Sequence, residues 1–322
     1  MNPSQNNQNP PETVICISDL RKHFGDVKAV DGISFEIRRG EVFGFLGPNG
    51  AGKTTTINMI CGLLPVTGGT VEFTDPTIQE AGVRNHIGIC PQENIFWPRL
   101  TCREQLVFMA KMYDFPDNAA LKRANNLLDM LGLTGKADTL AAKLSGGMKR
   151  RLNICLALIH DPMVLVLDEP EAGLDPQSRL LVRNFIKGLA REKTVILTTH
   201  NMDEADRLAD RVAIIDNGKL LKLDTPGNLK QSIGEGDLLE IVFDDSDSEV
   251  GQDTILNAIQ QICESVKIND DHLIFKAPNL VGLLPQITAQ LTEIGVIARE
   301  ITLRENTLED VFIHLTGRRL RS

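Results

Sequence analysis

The stretch Val42-Phe43-Gly44-Phe45-Leu46-Gly47-Pro48-Asn49-Gly50-Ala51-Gly52-Lys53-Thr54-Thr55-Thr56-Ile57-Asn58-Met59-Ile60-Cys61 decides how this chain is to be read. Its first five residues have the length and apolar character of a buried strand, and Lys53–Cys61 carries apolar residues three and four apart, the spacing of a helix. Between strand and helix, Gly47 to Thr54 fits the pattern GxxxxGK[ST]. Glycines there let backbone N–H groups curl around an anion, and the helix that follows turns its positive end toward it. Lys53 brings a point charge suited to the β- and γ-phosphates of a nucleotide, and the Thr54 hydroxyl is placed to ligate Mg²⁺, with Thr55 completing the stretch. A structural glycine turn would explain the glycines but not their position between strand and helix.

Outward from this loop, β-rich runs alternate with helical ones. Val14–Ile17, Ile33–Ile37, Val71–Phe73, Ile87–Ile89, Val164–Leu167, Val195–Thr199 and Val212–Ile215 read as further strands. Cys102–Tyr113, Ala119–Leu131, Gly146–His160, Pro176–Leu189 and Met202–Leu208 read as helices. Strands alternating with helices predict an α/β fold with a mainly parallel, covered sheet, and the early strands joined by short turns predict an antiparallel addition to it. Asp224-Thr225-Pro226-Gly227 and Gly234-Glu235-Gly236-Asp237 mark a boundary near residue 230. Three segments follow: a disordered tail over residues 1–12, a large domain over 13–230 and a small accessory α/β sandwich over 231–322. In the last, strands Leu238–Phe243, Leu273–Phe275 and Val296–Leu303 alternate with helices near Thr254–Cys263, Leu280–Ile294 and Thr307–Thr316, with an acidic loop from Asp244 to Glu249.

Composition narrows the classes. The 322 residues carry a net charge of −9, against a surface built for nucleic acid. The basic end, Arg318, Arg319 and Arg321, reads as a solvated helix terminus. No apolar run approaches the ~20 residues that span a bilayer, and Met1 to Pro11 lacks the apolar core of a signal peptide. Six scattered cysteines with no CxxC pair read as reduced small hydrophobes, with no structural metal, in a cytosolic protein.

Two further groups of residues carry chemistry. Leu144-Ser145-Gly146-Gly147-Met148 opens a helix with a serine hydroxyl and glycine N–H groups, a second anion site. About twenty residues later, the apolar run Val164-Leu165-Val166-Leu167 ends in Asp168 and Glu169, which places two acids at the carboxyl edge of the sheet, where α/β folds bind ligands. In this order the chain resembles the ABC ATPases over some 210 residues.

The resemblance implies an ATP-hydrolysing fold of the P-loop class with a helical subdomain, and roles for particular residues. Gly47, Pro48, Asn49, Gly50, Ala51, Gly52, Lys53, Thr54 and Thr55 would form the phosphate loop. Asp168 corresponds to the carboxylate that helps hold Mg²⁺, and Glu169 to the catalytic glutamate that orients or deprotonates the attacking water. Gln92, in Cys90-Pro91-Gln92-Glu93, matches the glutamine that senses metal and water. His200, at the end of Thr194–Thr199, matches the histidine that contacts the γ-phosphate and holds the glutamate. Ser145, Gly146 and Gly147 match the signature that covers ATP bound to a second chain. Asp175, in Gly173-Leu174-Asp175, matches the loop coupling the two composite sites and also suits a helix cap before Pro176. Phe24 stands where the family stacks an aromatic on adenine, and core packing is its alternative role.

Two positions depart from the family pattern. Met148 replaces the usual signature glutamine. Glu171-Ala172 stands where small hydroxylated residues are commoner; an extra carboxylate there could shift the pKa of Glu169 by like-charge repulsion, without abolishing hydrolysis because every residue at the reacting centre is kept. One cassette implies a second copy, most simply an identical chain. The closing segment Thr307–Arg318 resembles that of drug-resistance and nodulation-type ATPases serving ABC-2 permeases, although Leu308, Val311, Phe312 and Leu315 share a helix face whose first duty is packing. The expected protein is thus an ATP-powered subunit at the cytoplasmic face of the membrane, bound there through a permease. The segment around Trp97, with the helix Thr101–Tyr113, would dock that permease, and Trp97 is either an interface anchor or core filler. A soluble ABC ATPase of translation or DNA maintenance is the alternative, but such proteins usually carry two cassettes or a long insertion.

Overall fold

The computed structural model describes residues 12–190, 192–233, 237–243, 252–260, 262, 266–269, 272–277, 280–304 and 306–317. Residues 1–11 of the expected tail, the acidic loop Asp244 to Glu249 and the basic end at Arg318, Arg319 and Arg321 lie outside them. The chain divides into two compact units that meet between Pro226 and Gly227. The expectation was a loop here and a boundary near 230. Pro226 instead opens a short helix, a position that suits its fixed φ and missing N–H.

The first unit runs β1 (Thr13–Phe24), β2 (Val27–Arg38), β3 (Val42–Leu46), α1 (Lys53–Ile60), β4 (Gly68–Phe73), α2 (Pro76–Ala81), α3 (Val83–His86), β5 (Ile87–Cys90), α4 (Cys102–Met112), α5 (Asp117–Met130), α6 (Gly146–Leu158), β6 (Val164–Asp168), α7 (Pro176–Leu189), β7 (Thr194–Thr199), α8 (Met202–Leu208), β8 (Arg211–Asp216) and β9 (Lys219–Asp224). Its main sheet has the order β5-β6-β7-β3-β8-β9. All neighbours are parallel except β9, which returns antiparallel along β8. A second sheet, β2-β1-β4, is antiparallel throughout.

Alternation along the strands feeds two cores, because successive side chains leave a sheet on opposite faces. Leu165, Leu167, Val195 and Leu197 point into a core shared with α4 to α7. Val164, Val166, Ile196, Phe43 and Phe45 point the other way, toward α1 and the antiparallel sheet. β3, β6 and β7 are therefore buried on both sides, which is why each reads as a continuous apolar run. Their carboxyl ends bring Leu46, Asp168 and Thr199 to one edge, since Leu46 pairs with Thr199 and Asp168 with Thr198.

α9 (Pro226–Gln231) starts at the boundary, and the second unit continues with β10 (Asp237–Phe243), α10 (Gln252–Gln260), β11 (Val266–Asn269), β12 (His272–Ala277), α11 (Leu280–Glu293), β13 (Ala298–Arg304) and α12 (Leu308–Thr316). Its sheet, β11-β12-β10-β13, is antiparallel. Leu239, Ile241, Phe243, Leu273 and Phe275 pack with Ile255 and Ile259 of α10 and with Ile287 and Leu291 of α11. α12 starts on a capping box between Thr307 and Asp310, and Leu308, Val311 and Phe312 are buried along one face.

Candidate nucleotide site

The loop from Gly47 to Gly52 is shaped by contacts that no side chain could share. A Cβ on Gly47 would lie 2.1 Å from the Ile215 carbonyl oxygen, and one on Gly52 would lie 2.4 Å from that of Ala29. Gly52 also has φ of 105°, in a region that L side chains rarely adopt. The loop is thus pressed against β2 and β8 and borders a cleft of about 350 Å³. Asn49, Gly50, Gly52, Lys53, Thr54 and Gln92 line that cleft, together with Glu169. Lys53 Nζ donates to the carbonyls of Gly47 at 2.7 Å and Pro48 at 3.0 Å. Burial pulls its pKa down, and the charges of Glu169 and Asp168 work against that. A glycine cradle with a cation beside it fits a polyphosphate.

The acids at the end of β6 are held separately. Asp168 accepts from the Thr54 hydroxyl at 3.0 Å on one carboxylate oxygen and from the Thr198 hydroxyl on the other. Hydroxyl, carboxylate and amide oxygens from Thr54, Asp168 and Gln92 are the hard donors that Mg²⁺ prefers. Glu169 has a left-handed backbone, φ 50°, and its N–H donates to the Thr198 carbonyl and hydroxyl, both at 3.1 Å. Its carboxylate is gripped at both oxygens: His200 Nδ1 lies 2.7 Å from Oε1, and Gln92 Nε2 donates to Oε2 at 3.0 Å. The three residues expected to act together do converge, from β5, β6 and β7.

Glu171 has cationic partners on α7. Its carboxylate forms a two-pronged pair with Arg183, at 3.0 Å and 2.7 Å, and Arg179 lies 3.8 Å away. Its charge is thus matched by guanidinium groups, and Glu171 is not among the residues that line the cleft. Glu171 does act on Glu204 of α8, whose pKa rises to about 7, chiefly from burial and then from the charges of Glu171 and Glu169.

Ser145 caps α6, accepting from the Met148 N–H at 3.3 Å, and is exposed, as is Gly146. Gly147 is buried, and a Cβ there would meet the Ser178 hydroxyl at 2.4 Å and Asp175 at 3.2 Å. Asp175 in turn caps α7, accepting from the Ser178 N–H at 2.9 Å. The signature helix and α7 thus start against each other. None of Ser145, Gly146, Gly147 or Asp175 lines the cleft over the chain's own phosphate loop. Phe24, at the end of β1, is 51% exposed and takes no part in the core. It does not line the cleft; Ala29, further along the same hairpin, does. Trp97 is likewise not core filler: it is 42% exposed and meets Phe108 edge-on at 5.4 Å.

Two residues that organise the site were missed from the sequence. Thr198 lies in a run read only as a strand, and Arg150 in one read only as a helix. Arg150 is buried and donates to the carbonyls of Pro91, Gln92, Asp168 and Pro170. Arg150 works through backbone carbonyls and Thr198 through Asp168 and the Glu169 N–H on a neighbouring strand, contacts that leave no pattern in a single sequence.

Residues 30–172 match the family model described as ABC transporter. The Nod factor export ATP-binding protein I of Ralstonia nicotianae is 37% identical over 311 residues, covering 96% of this chain and 95% of the relative. The linearmycin resistance ATP-binding protein LnrL of Bacillus subtilis is also 37% identical, covering 94% and 98%. The daunorubicin resistance ATP-binding protein DrrA3 of Streptomyces coeruleorubidus is 35% identical, covering 95% and 96%. Among solved structures, an ATP-binding subunit of an ABC transporter superposes with a TM-score of 0.62 at 26% identity, over 69% of this chain and 94% of that one. A dimeric ATP-binding cassette in a post-hydrolysis state with ADP and Pi gives a TM-score of 0.59 at 25% identity, over 66% and 98%. A glycine cradle, a carboxylate held at both oxygens and similarity along the whole length of export and resistance ATPases agree: the chain belongs to the ATP-binding, ATP-hydrolysing subunits of ABC transporters.

Proposed function

We propose that this chain powers an exporter with a separate ABC-2-type permease, as a head-to-tail pair of identical chains carried on the cytoplasmic face of the membrane. The observation that carries the catalytic part is the double grip on Glu169 by Gln92 and His200. A carboxylate fixed at both oxygens, lining the phosphate-loop cleft, is set to orient a water and take its proton. Lys53 and the loop N–H groups bind the β- and γ-phosphates, and His200 bridges the γ-phosphate and Glu169. Thr54, Asp168 and Gln92 would hold Mg²⁺, which supplies charge neutralisation at the phosphates.

Pairing is supported by where the second anion site lies. Ser145 and Gly146 are exposed and absent from the chain's own cleft, so the Ser145 O–H, whose oxygen caps α6, and the glycine N–H groups would serve ATP on another chain, with Asp175 at the junction. Phe24, exposed at its hairpin, would stack on adenine. Export is supported by the names of relatives similar along their full length, a Nod factor export protein and two resistance proteins. The domain limits proposed are 13–230 for the ATPase and 231–322 for the accessory domain.

The Glu169→Gln chain should bind ATP with near-native affinity and lose turnover by about a hundredfold or more, as expected when an essential base is removed. Ordinary turnover by the folded, permease-bound variant would refute the role.

A further inference from the structure

Resting on the catalytic reading above, we infer that Arg150 is a positioning residue that ties the signature helix to the catalytic carboxylate of the same chain. Arg150 is 3% exposed. It donates to four backbone carbonyls in two segments, Pro91 and Gln92 after β5, Asp168 and Pro170 after β6, with the contacts to Gln92 at 3.3 Å and Pro170 at 3.4 Å. Those carbonyls are not arbitrary. Asp168 and Pro170 flank Glu169, the residue with φ 50°, and Gln92 is the group that holds one oxygen of its carboxylate. A non-glycine residue in the left-handed region persists only where its surroundings hold it there. Thr198 grips the Glu169 N–H, and Arg150 grips the carbonyls on either side. One planar fork therefore fixes the backbone of Glu169 and of its partner Gln92 together, a task that suits arginine and not lysine.

Arg150 stands five residues after Ser145, the cap of α6, on a helix that transmits displacement as a rigid element. The end of α6 that would meet another chain's nucleotide is thus attached to the carboxylate that orients and deprotonates the water attacking the chain's own. Each chain would sense closure on its partner's ATP through α6 and register it at Glu169.

The test is Arg150→Met, which keeps the bulk of the side chain and removes every donor. Turnover should fall about ten- to a hundredfold, the scale set by a misplacement of about 1 Å at a reacting group, while KM for ATP stays within about twofold. A second readout does not depend on hydrolysis. In a Glu169→Gln background, where ATP should accumulate in a trapped dimer, adding Arg150→Met should leave that dimer intact by light scattering, whereas adding Ser145→Arg should abolish it. If the Met chain fails to fold, Arg150→Lys decides: it keeps the charge, loses the fork and should still turn over at least about tenfold more slowly. Native turnover in the variant that folds would overturn the inference. So would loss of the trapped dimer with Arg150→Met, which would assign the residue to the signature and not to Glu169. A Glu169→Gln chain that forms no ATP-dependent dimer on its own would count against pairing, and the split between kcat and KM would still judge Arg150.

Discussion

Thr198 holds two acids with one hydroxyl. It donates to Asp168 and accepts from the N–H of Glu169 at 3.1 Å, and it is fully buried. Thr198→Val keeps the β-branched shape and removes both bonds, leaving one carboxylate oxygen and one strained N–H less well held. We expect stability to fall by about 1–3 kcal/mol, the usual cost of unmade buried hydrogen bonds, and kcat to fall about tenfold or more with ATP affinity little changed. Thermal unfolding and steady-state kinetics check the two parts separately. At this scale the sequence was legible where a residue type is itself the chemistry. Lys53, Asp168, Glu169 and His200 have few other reasons to stand at those strand and loop ends. It was silent on Arg150, whose partners are main-chain carbonyls set by the fold, and on Thr198, whose hydroxyl meets Asp168 and the Glu169 N–H only through the pairing of β6 with β7. It also gave no sign that Glu171 pairs with Arg183, twelve residues away on α7.

Elements were legible when one face or a whole strand was buried, and less so where turns or bulges break the pattern. α7 and α8 begin and end where periodicity and caps place them, with Asp175 and Asn201 as N-caps. β1 and β2 extend well beyond the runs expected for them, because several register shifts interrupt their alternation. β9 was overlooked although its signal was present: Asn217-Gly218, at φ 49° and 73°, is the two-residue turn that closes a hairpin with β8. β11 is only four residues long, too short for alternation to show. The junction of β7 and α8 yields a pH prediction. Glu204 is 4% exposed, accepts from the Thr199 hydroxyl at 2.6 Å, and has its pKa raised to about 7. A carboxyl whose folded pKa exceeds its unfolded value adds stability below the unfolded value and loses it as pH rises through the folded one. Wild-type stability should therefore decline between about pH 4.5 and 7 by up to about 3 kcal/mol from this group. Glu204→Gln removes the titration, so its melting temperature should gain on wild type as pH rises from 5 to 8. A difference independent of pH would show that Glu204 does not titrate in that window.

As an ATP-hydrolysing subunit of an ABC transporter, the chain converts events at its cleft into work on a membrane permease, and no helix of the described residues is long and apolar enough to cross a membrane. That task directs attention to apolar surface the fold leaves uncovered. Trp97 and Phe108 stand edge to face at 5.4 Å, 42% and 46% exposed, on the loop before α4 and on α4 itself. An aromatic pair with so much surface in water contributes little to folding, whereas aromatic anchors dominate the energetics of interfaces. The pair also follows Gln92 along the chain: Asn153 of α6 accepts from the Ile95 N–H at 2.8 Å, so the segment between Gln92 and Trp97 is fastened to the signature helix. A permease helix pressing on Trp97 would meet a segment joined at one end to the glutamine that holds Glu169. If the permease docks there, Trp97→Ala with Phe108→Ala should abolish its co-purification with this chain. Stability and the ATPase rate of the isolated subunit should change by less than about twofold in rate and about 1 kcal/mol in stability, because neither ring is core. Retention of the permease by the double variant would move the docking surface elsewhere on the chain, and loss of ATPase activity in the isolated subunit would show that the two rings support the site itself.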